Sequence, residues 1–223
     1  MPATNADSGI SLPQQLGDAT IGWWEVRESE AELRGLYAER LCEARCGGIP
    51  AFASEKRTRE WIATRLLFSL ICPEGELAAL PGGAPIIKNQ PNRQVSISHS
   101  GNFACIALTG HKTSACNNTK IGIDIECHSA KAFRLKDRFL NRHDRFPATD
   151  EKMATIAWSA KETAYKLAGM AGLSLQEGIT LSSCNEKEQT INCRISQQEK
   201  ANGLSCKILY NTFPSFVLTF SEA

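Results

Sequence analysis

Residues 120–127 read KIGIDIEC, with Ile121, Ile123 and Ile125 alternating against Gly122, Asp124 and Glu126. An unbroken period of two with β-branched residues is the pattern of a strand. Strand side chains point alternately to opposite faces, so the isoleucines can enter a core while the carboxylates share the other side, roughly 6.6 Å apart at about 3.3 Å per residue. Like charges side by side on one strand repel. An exposed polar edge accommodates them in water. A divalent cation instead turns the repulsion into coordination, since magnesium accepts carboxylate oxygens and completes its shell with water and substrate phosphates. Gly122 leaves room beside them for a ligand backbone or phosphate to approach.

The rest of the chain sets the context for that strand. Its 223 residues are enough for one domain or two small ones, and a 42% hydrophobic content supports a packed core. Twenty-five Lys and Arg against 24 Asp and Glu leave a formal charge of +1, so no global field draws the protein onto nucleic acid or anionic lipid. The first thirty residues lack a basic start followed by an apolar run, and no segment approaches a membrane span, so a cytoplasmic protein is expected. Nine cysteines, at 42, 46, 72, 105, 116, 127, 184, 193 and 206, include no Cys-x-x-Cys pair. Reduced, mostly buried thiols are the expectation.

The pattern of elements is mixed. SEAELRGLYAERLCEARC, 29–46, is expected to be helical up to Gly47-Gly48 and Pro50, and a second helix runs from Ser54, a good N-cap, through Ile71. PGGAP at 81–85 is a turn, after which 85–88 begins an extended segment. VSISHSGNFACIALTG, 95–110, forms two β segments about a Ser-Gly-Asn turn, and the polar loop HKTSACNNT leads into the opening strand. Residues 131–145, KAFRLKDRFLNRHDR, carry six Lys and Arg against two Asp, a local excess of four, and are partly helical through Phe133, Leu135, Phe139 and Leu140. A strong helix follows over 151–170. The tail alternates into strands at 193–195, 206–210 and 216–220. There is no repeat or low-complexity tract, and the chain is expected to be α+β with antiparallel sheets, packed helices and two halves, 1–118 and 119–223.

Two further segments carry chemistry. In WSAKETAYKL, 158–167, a spacing of 100° per residue puts Ala160, Ala164 and Leu167 on one side and Trp158, Glu162, Tyr165 and Lys166 on the other. Small residues let the helix approach a sheet closely, and the opposite face presents Glu162 and Lys166 at i and i+4. In isolation that pair is a solvated ion pair of a few tenths of a kcal/mol. In SISHS, 96–100, Val95, Ile97 and His99 share one strand face and the serines the other. His99 at the strand end is either structural or a donor to phosphate beside hydroxyls and a Gly turn.

In this order and at these separations the three segments resemble the 4′-phosphopantetheinyl transferases, the monomeric type that activates siderophore, surfactin and other carrier-protein synthases. The family's Gly-x-Asp-x-Glu strand is matched by Gly122, Asp124 and Glu126. Its Trp-x-x-Lys-Glu-Ala-x-x-Lys helix is matched by Trp158, Lys161, Glu162 and Lys166, with Thr163 in place of Ala. Its Ser-His-Ser turn is intact as Ser98-His99-Ser100, and KRTREWIATR, 56–65, resembles its upstream basic helix. The likeness covers roughly 55–175, and its length and spacing make it specific where each motif alone is weak.

The resemblance implies two similar α+β halves related by a pseudo-twofold axis, with coenzyme A as co-substrate in the cleft between them. It implies one Mg²⁺, or Mn²⁺, held by Asp124, Glu126 and Glu162 together with the coenzyme A diphosphate. His99 and Ser98 would hold the 3′-phosphoadenosine end, helped by Arg57 and Arg65. The activity implied is that of a holo-acyl-carrier-protein synthase. A serine of an apo acyl or peptidyl carrier protein attacks the phosphorus next to pantetheine, accepts phosphopantetheine and releases 3′,5′-ADP. Positioning and charge neutralisation are what such a step asks for. Glu162, directly or through a water on the metal, would take the serine proton. Lys166 would stabilise or protonate the leaving phosphate, and Lys161 would orient the diphosphate or support Glu162. The catalytic set is therefore Asp124, Glu162 and Lys166. The basic segment 131–145 would steer the acidic carrier, with a solvated linker helix as the plainer alternative.

Some positions depart from the family pattern. Ala84 replaces the Lys of Gly-Lys-Pro, with Lys88 nearby; Ser96 replaces an Asn; Asp144 replaces the usual Glu. A coenzyme A or carrier-protein binder of the same fold without turnover is the alternative, and a Mg²⁺-dependent phosphatase or nucleotidyl transferase explains the carboxylates alone.

Overall fold

A computed structural model describes residues 9–11, 13–41, 48–110, 119–197 and 200–223, apart from the side chains of 197–202. Cys42, Cys46, Cys116, the end of the expected first helix and most of the loop HKTSACNNT lie outside them. The chain divides into two compact units, Met1–Asn118 and Thr119–Ala223. Each is α+β, and every paired strand is antiparallel.

Unit 1 begins with β1 (Gln14–Leu16), β2 (Ala19–Glu25) and α1 (Glu30–Arg40), followed by α2 (Glu55–Ile71). Ser29 starts α1 with a capping box to Glu32, and Ser54 accepts from the Arg57 amide at the start of α2, each satisfying an orphan N–H of the first turn. A two-stranded hairpin of β3 (Leu77–Ala79) and β4 (Pro85–Ile87) precedes β5 (Val95–Ser100) and β6 (Phe103–Thr109). The main sheet has the order β1-β2-β6-β5. Ile62, Leu66, Leu67 and Phe68 of α2 bury against Trp24, Ile106 and Leu108 of that sheet. Burying side chains of this size contributes roughly 1.5–3 kcal/mol each. Absent from the periodicity, β2 is buried at five of seven positions. With both Trp23 and Trp24 buried, no polar face marks it.

Unit 2 opens with β7 (Ile121–Cys127), continues through the short helix α3 (Ala130–Arg134), a 3₁₀ turn (Lys136–Arg138) and α4 (Glu151–Ala168), and ends in β8 (Ile179–Asn185), β9 (Thr190–Gln197), β10 (Lys200–Thr212) and β11 (Phe216–Glu222). Its sheet has the order β7-β11-β10-β9-β8, which places the first strand beside the last. Asp150 caps α4 by accepting from the Met153 amide, and Gly169 ends it in the left-handed region at φ 62°. Ala157, Ala160, Ala164 and Leu167 pack into a core with Ile179, Ile191, Ile208 and Val217. Trp158, Glu162, Tyr165 and Lys166 are the half-buried face. The segment 131–145 is helical only in the short pieces given, with Phe139 buried as its anchor.

Six cysteines within the described residues are free thiols, with Cys72, Cys105 and Cys193 buried and Cys127, Cys184 and Cys206 half-buried. Among the described residues no helix is long and apolar enough to cross a membrane.

The role expected for Gly122 is corrected by its surroundings. A Cβ built there would stand 2.2 Å from the Thr163 carbonyl oxygen and 3.0 Å from the Leu167 amide nitrogen. What approaches Gly122 is the backbone of α4, and the missing side chain lets strand and helix touch. Gly122→Ala is expected to lower stability by about 3 kcal/mol, at the upper end for overpacking because backbone must move. Chemical denaturation measures it, and an unchanged midpoint would contradict the contact.

Candidate functional site

The β7–α4 contact sets the geometry of one candidate site, wholly within unit 2. Gly122, Asp124 and Glu126 share the face of β7 that meets α4, while Ile123 and Ile125 are fully buried on the other. Asp124 is only 2% exposed, and a buried carboxylate needs partners for both oxygens. Its Oδ1 accepts from Lys166 Nζ at 2.8 Å, and its Oδ2 accepts from Ser159 Oγ at 2.7 Å. Lys166 also donates to the Ile123 carbonyl at 3.0 Å. Beneath Ser159, the hydroxyls of Thr219 and Thr163 extend the chain at 2.8 and 2.6 Å. Thr163, where the resembled motif has Ala, thus helps to anchor the strand.

Glu126 lies two residues along β7, and its Oε1 accepts from Trp158 Nε1 at 3.1 Å. Trp158 is held edge-on by Phe139, with ring centroids 5.1 Å apart. Glu162 faces the same seam. Burial first, then the negative charge of Asp124, pushes its carboxyl above the usual range; Lys166 pulls it back, and Glu126 adds a smaller upward push. Charges from two separate sequence segments therefore act on one another here. A pocket of ≈ 100 Å³ adjoins Glu126 and Trp158, walled by Cys127, Lys131, Leu135 and Thr155.

Lys161 stands apart from this seam. It is fully buried, and its ammonium donates to Asp144 Oδ2 at 2.8 Å, the Ile179 carbonyl at 2.7 Å and the Leu175 carbonyl at 3.1 Å. An ammonium has three donors, all engaged, so neither expected role, on the diphosphate or behind Glu162, is the one its position gives it. One residue along a helix turns the side chain by about 100°, which sends Lys161 into the core beneath the 141–144 turn. Asp144 also accepts from the amides of Leu181 and Asn141. The shorter acid is a structural hub.

In unit 1 a second candidate site lies between α2, β5 and the β3–β4 hairpin, a cleft of ≈ 390 Å³. His99 and Ile97 line it from β5, Arg57, Glu60, Trp61 and Arg65 from α2, and Phe52 from the segment before α2. The Arg65 guanidinium stacks on the Trp61 ring 3.4 Å from its centroid, a cation–π arrangement. His99 Nδ1 is 3.4 Å from Glu60 Oε1, and Nε2 is 3.4 Å from Arg57 Nη1. Ser98 is buried on the other face of β5 and is not part of the cleft wall. Ala84 is exposed in the hairpin turn between Gly83 and Pro85, both of which touch the cleft, and Lys88 is exposed away from it.

The positions expected for nucleotide contacts thus divide. Arg57, Arg65 and His99 come together, and Ser98 does not join them. In unit 2, Asp124, Glu126, Glu162 and Lys166 share one seam that Lys161 leaves. Ser159, Thr219 and Glu60 were not foreseen, nor was the pairing of Asp144 with Lys161. Ser159 and Thr163 at i and i+4 on the apolar side of α4 were the available signal for the first of these, since polar side chains there need buried partners. No protein-family model matches the chain, and no curated protein matches it.

The donor set suits a hard divalent ion by its chemistry: carboxylate oxygens only, with the Lys166 ammonium standing as counter-cation at Asp124. Among the described residues no three Asp, Glu, His or Cys side chains are already disposed to hold an ion. Lys166 occupies Oδ1 of Asp124. Asp144→Ala is expected to destabilise unit 2 by about 3–5 kcal/mol, the cost of stranding a buried ammonium. Adding Lys161→Met should recover part of the loss, and denaturation midpoints of the two variants check both.

Proposed function

We propose that the protein is a 4′-phosphopantetheinyl transferase, moving phosphopantetheine from coenzyme A to a serine of an apo carrier protein with release of 3′,5′-ADP. One observation carries the proposal: α4 lays Glu162 and Lys166 along the same seam as Asp124 and Glu126 of β7. The motifs supply the resemblance, and the close contact at Gly122 supplies the reason that their spacing produces a joint site. Each unit also lays one long helix, α2 or α4, on an antiparallel sheet, which supports the reading of two similar α+β halves.

Asp124, Glu126 and Glu162 would hold Mg²⁺ or Mn²⁺, which when bound supplies charge neutralisation on the diphosphate. The chain's own groups do the rest. Glu162, with a carboxyl made more basic by burial and by Asp124, accepts the proton of the attacking serine. Lys166 already donates to Asp124 and to the Ile123 carbonyl. When it turns from Asp124 its ammonium is available to the leaving phosphate, and its tether to the strand sets how far it travels. Arg57 and His99 address the phosphate of the nucleotide end, and the Trp61–Arg65 stack offers a flat surface to an aromatic base.

Docking of an acidic carrier is supported by the exposed Lys131, Arg134, Arg138, Arg142 and Arg145. Of the two acids in that segment, Asp144 is paired in the core with Lys161, so it does not offset these exposed charges. A second reading, binding of coenzyme A without turnover, is favoured by the seating of Lys166 on Asp124 and by Ala84. Mass spectrometry of an apo carrier protein incubated with coenzyme A and Mg²⁺ separates the two. A gain of one phosphopantetheine is expected, abolished by chelator and by Asp124→Ala, and slowed by about 10²–10⁴ in Glu162→Gln. Coenzyme A binding with no mass gain contradicts transfer.

A further inference from the structure

In the unit 1 cleft the motif residues Arg57 and His99 meet an acid, Glu60, that no motif announced. His99 is gripped at both ring nitrogens, Nδ1 by Glu60 and Nε2 by Arg57, each at 3.4 Å. A guanidinium only donates. Nε2 is therefore the acceptor, and the single proton of a neutral imidazole sits on Nδ1, facing the Glu60 carboxylate. Glu60 is fixed in turn: its side chain is 11% exposed, with Oε2 3.5 Å from Arg57 and Oε1 3.7 Å from Lys56, neighbours one helical turn earlier.

An anion entering this cleft competes with His99 for Arg57. A phosphomonoester dianion is the stronger acceptor and forms a charge-assisted, bidentate pair with a guanidinium. Once Arg57 turns to the phosphate, Nε2 loses the positive group that kept a proton away and gains a negative one that attracts it. Glu60 on Nδ1 favours the same protonation. Of the other charged groups nearby, Arg65 shares the cleft wall and Lys56 pairs with Glu60 Oε1; neither the β3–β4 hairpin nor Phe52 adds a titratable side chain to the wall, and Glu60 is the only acid in it among the described residues.

We propose that this cleft captures a phosphomonoester with uptake of a proton on His99, and that Glu60 is the positioning residue that favours the uptake. This rests on the transferase proposal, which already gives the cleft the nucleotide-end phosphate of coenzyme A; what is added is the proton on His99 and the part of Glu60 in its uptake. Each phosphoryl of a diphosphate diester carries one negative charge where a phosphomonoester dianion carries two, so it draws the proton less and dephospho-coenzyme A is discriminated against.

Calorimetric titration of the full chain with Mg²⁺, in PIPES and in Tris, reads the protons exchanged on binding, since the two buffers differ in ionisation enthalpy. At about pH 7.5 the phosphomonoester is already dianionic, so uptake reports the protein. Coenzyme A is expected to bring in more protons than dephospho-coenzyme A, which carries any protons displaced in unit 2 and so serves as the baseline, and to bind about tenfold more tightly. Glu60→Gln should lose the excess uptake, bind coenzyme A about tenfold more weakly and flatten the pH dependence of its Kd; Glu60→Asp should regain part of the uptake. Equal proton counts for the two ligands, or full uptake in Glu60→Gln, overturn the inference while leaving transfer to the carrier intact. No coenzyme A binding at all overturns both. Should Glu60→Gln fail to melt as a folded protein, the wild-type proton counts and those of His99→Gln decide.

Discussion

A carboxylate buried between a strand and a helix is the interaction on which unit 2 depends. Asp124 reaches its position because Gly122, two residues earlier, lets β7 press against the backbone of α4. At that separation the carboxylate cannot be solvated, and Ser159 and Lys166 satisfy it from α4. Sheet, helix and charge are thereby locked in register. The hydroxyls of Thr163 and Thr219 carry the same network across to β11.

Two ion pairs on α4, at adjacent turns, show how burial separates a structural charge from an available one. Lys161 and Asp144 have side chains 0% and 3% exposed, and every donor of the ammonium is engaged. Such a pair fixes loops and cannot change partners cheaply. Lys166 is paired with an equally buried acid, yet its own side chain is 25% exposed. It can exchange Asp124 for a ligand oxygen with water to assist. In unit 1, Glu60 relates to Arg57 and His99 in a comparable way: a nearly buried acid orders two more exposed groups that face a cleft. Both candidate sites thus use a buried acid to set the direction of cationic donors.

Much of this was legible from short-range pattern. The period of two in KIGIDIEC marked β7, Ser54 marked the start of α2, and the 100° spacing separated the packed and half-buried faces of α4, because each depends on residues near in sequence. The tertiary partners were not legible. Lys161 looks like a companion of Glu162 until the turn bearing Asp144, 17 positions earlier, is folded beneath it. Glu60 reads as one charge among several on α2, and only the arrival of β5, some forty residues later, places His99 against it. Strand β2 escaped notice because two buried tryptophans and a glycine erase the alternation that an exposed face would provide. Gly122 was informative for a different reason from the one first assigned: a strand glycine signals close approach, and which backbone approaches is decided by the fold.

The central claim is that the β7–α4 seam accepts a divalent ion once Lys166 yields Asp124. Titration of the protein with Mn²⁺ in the presence of coenzyme A, following the electron paramagnetic resonance signal of the free ion, tests it directly. A single bound ion per chain, lost in Asp124→Ala and weakened by about tenfold or more in Glu162→Gln, is the predicted result. Undiminished binding in Asp124→Ala, or no ion bound by the unaltered protein, would contradict it.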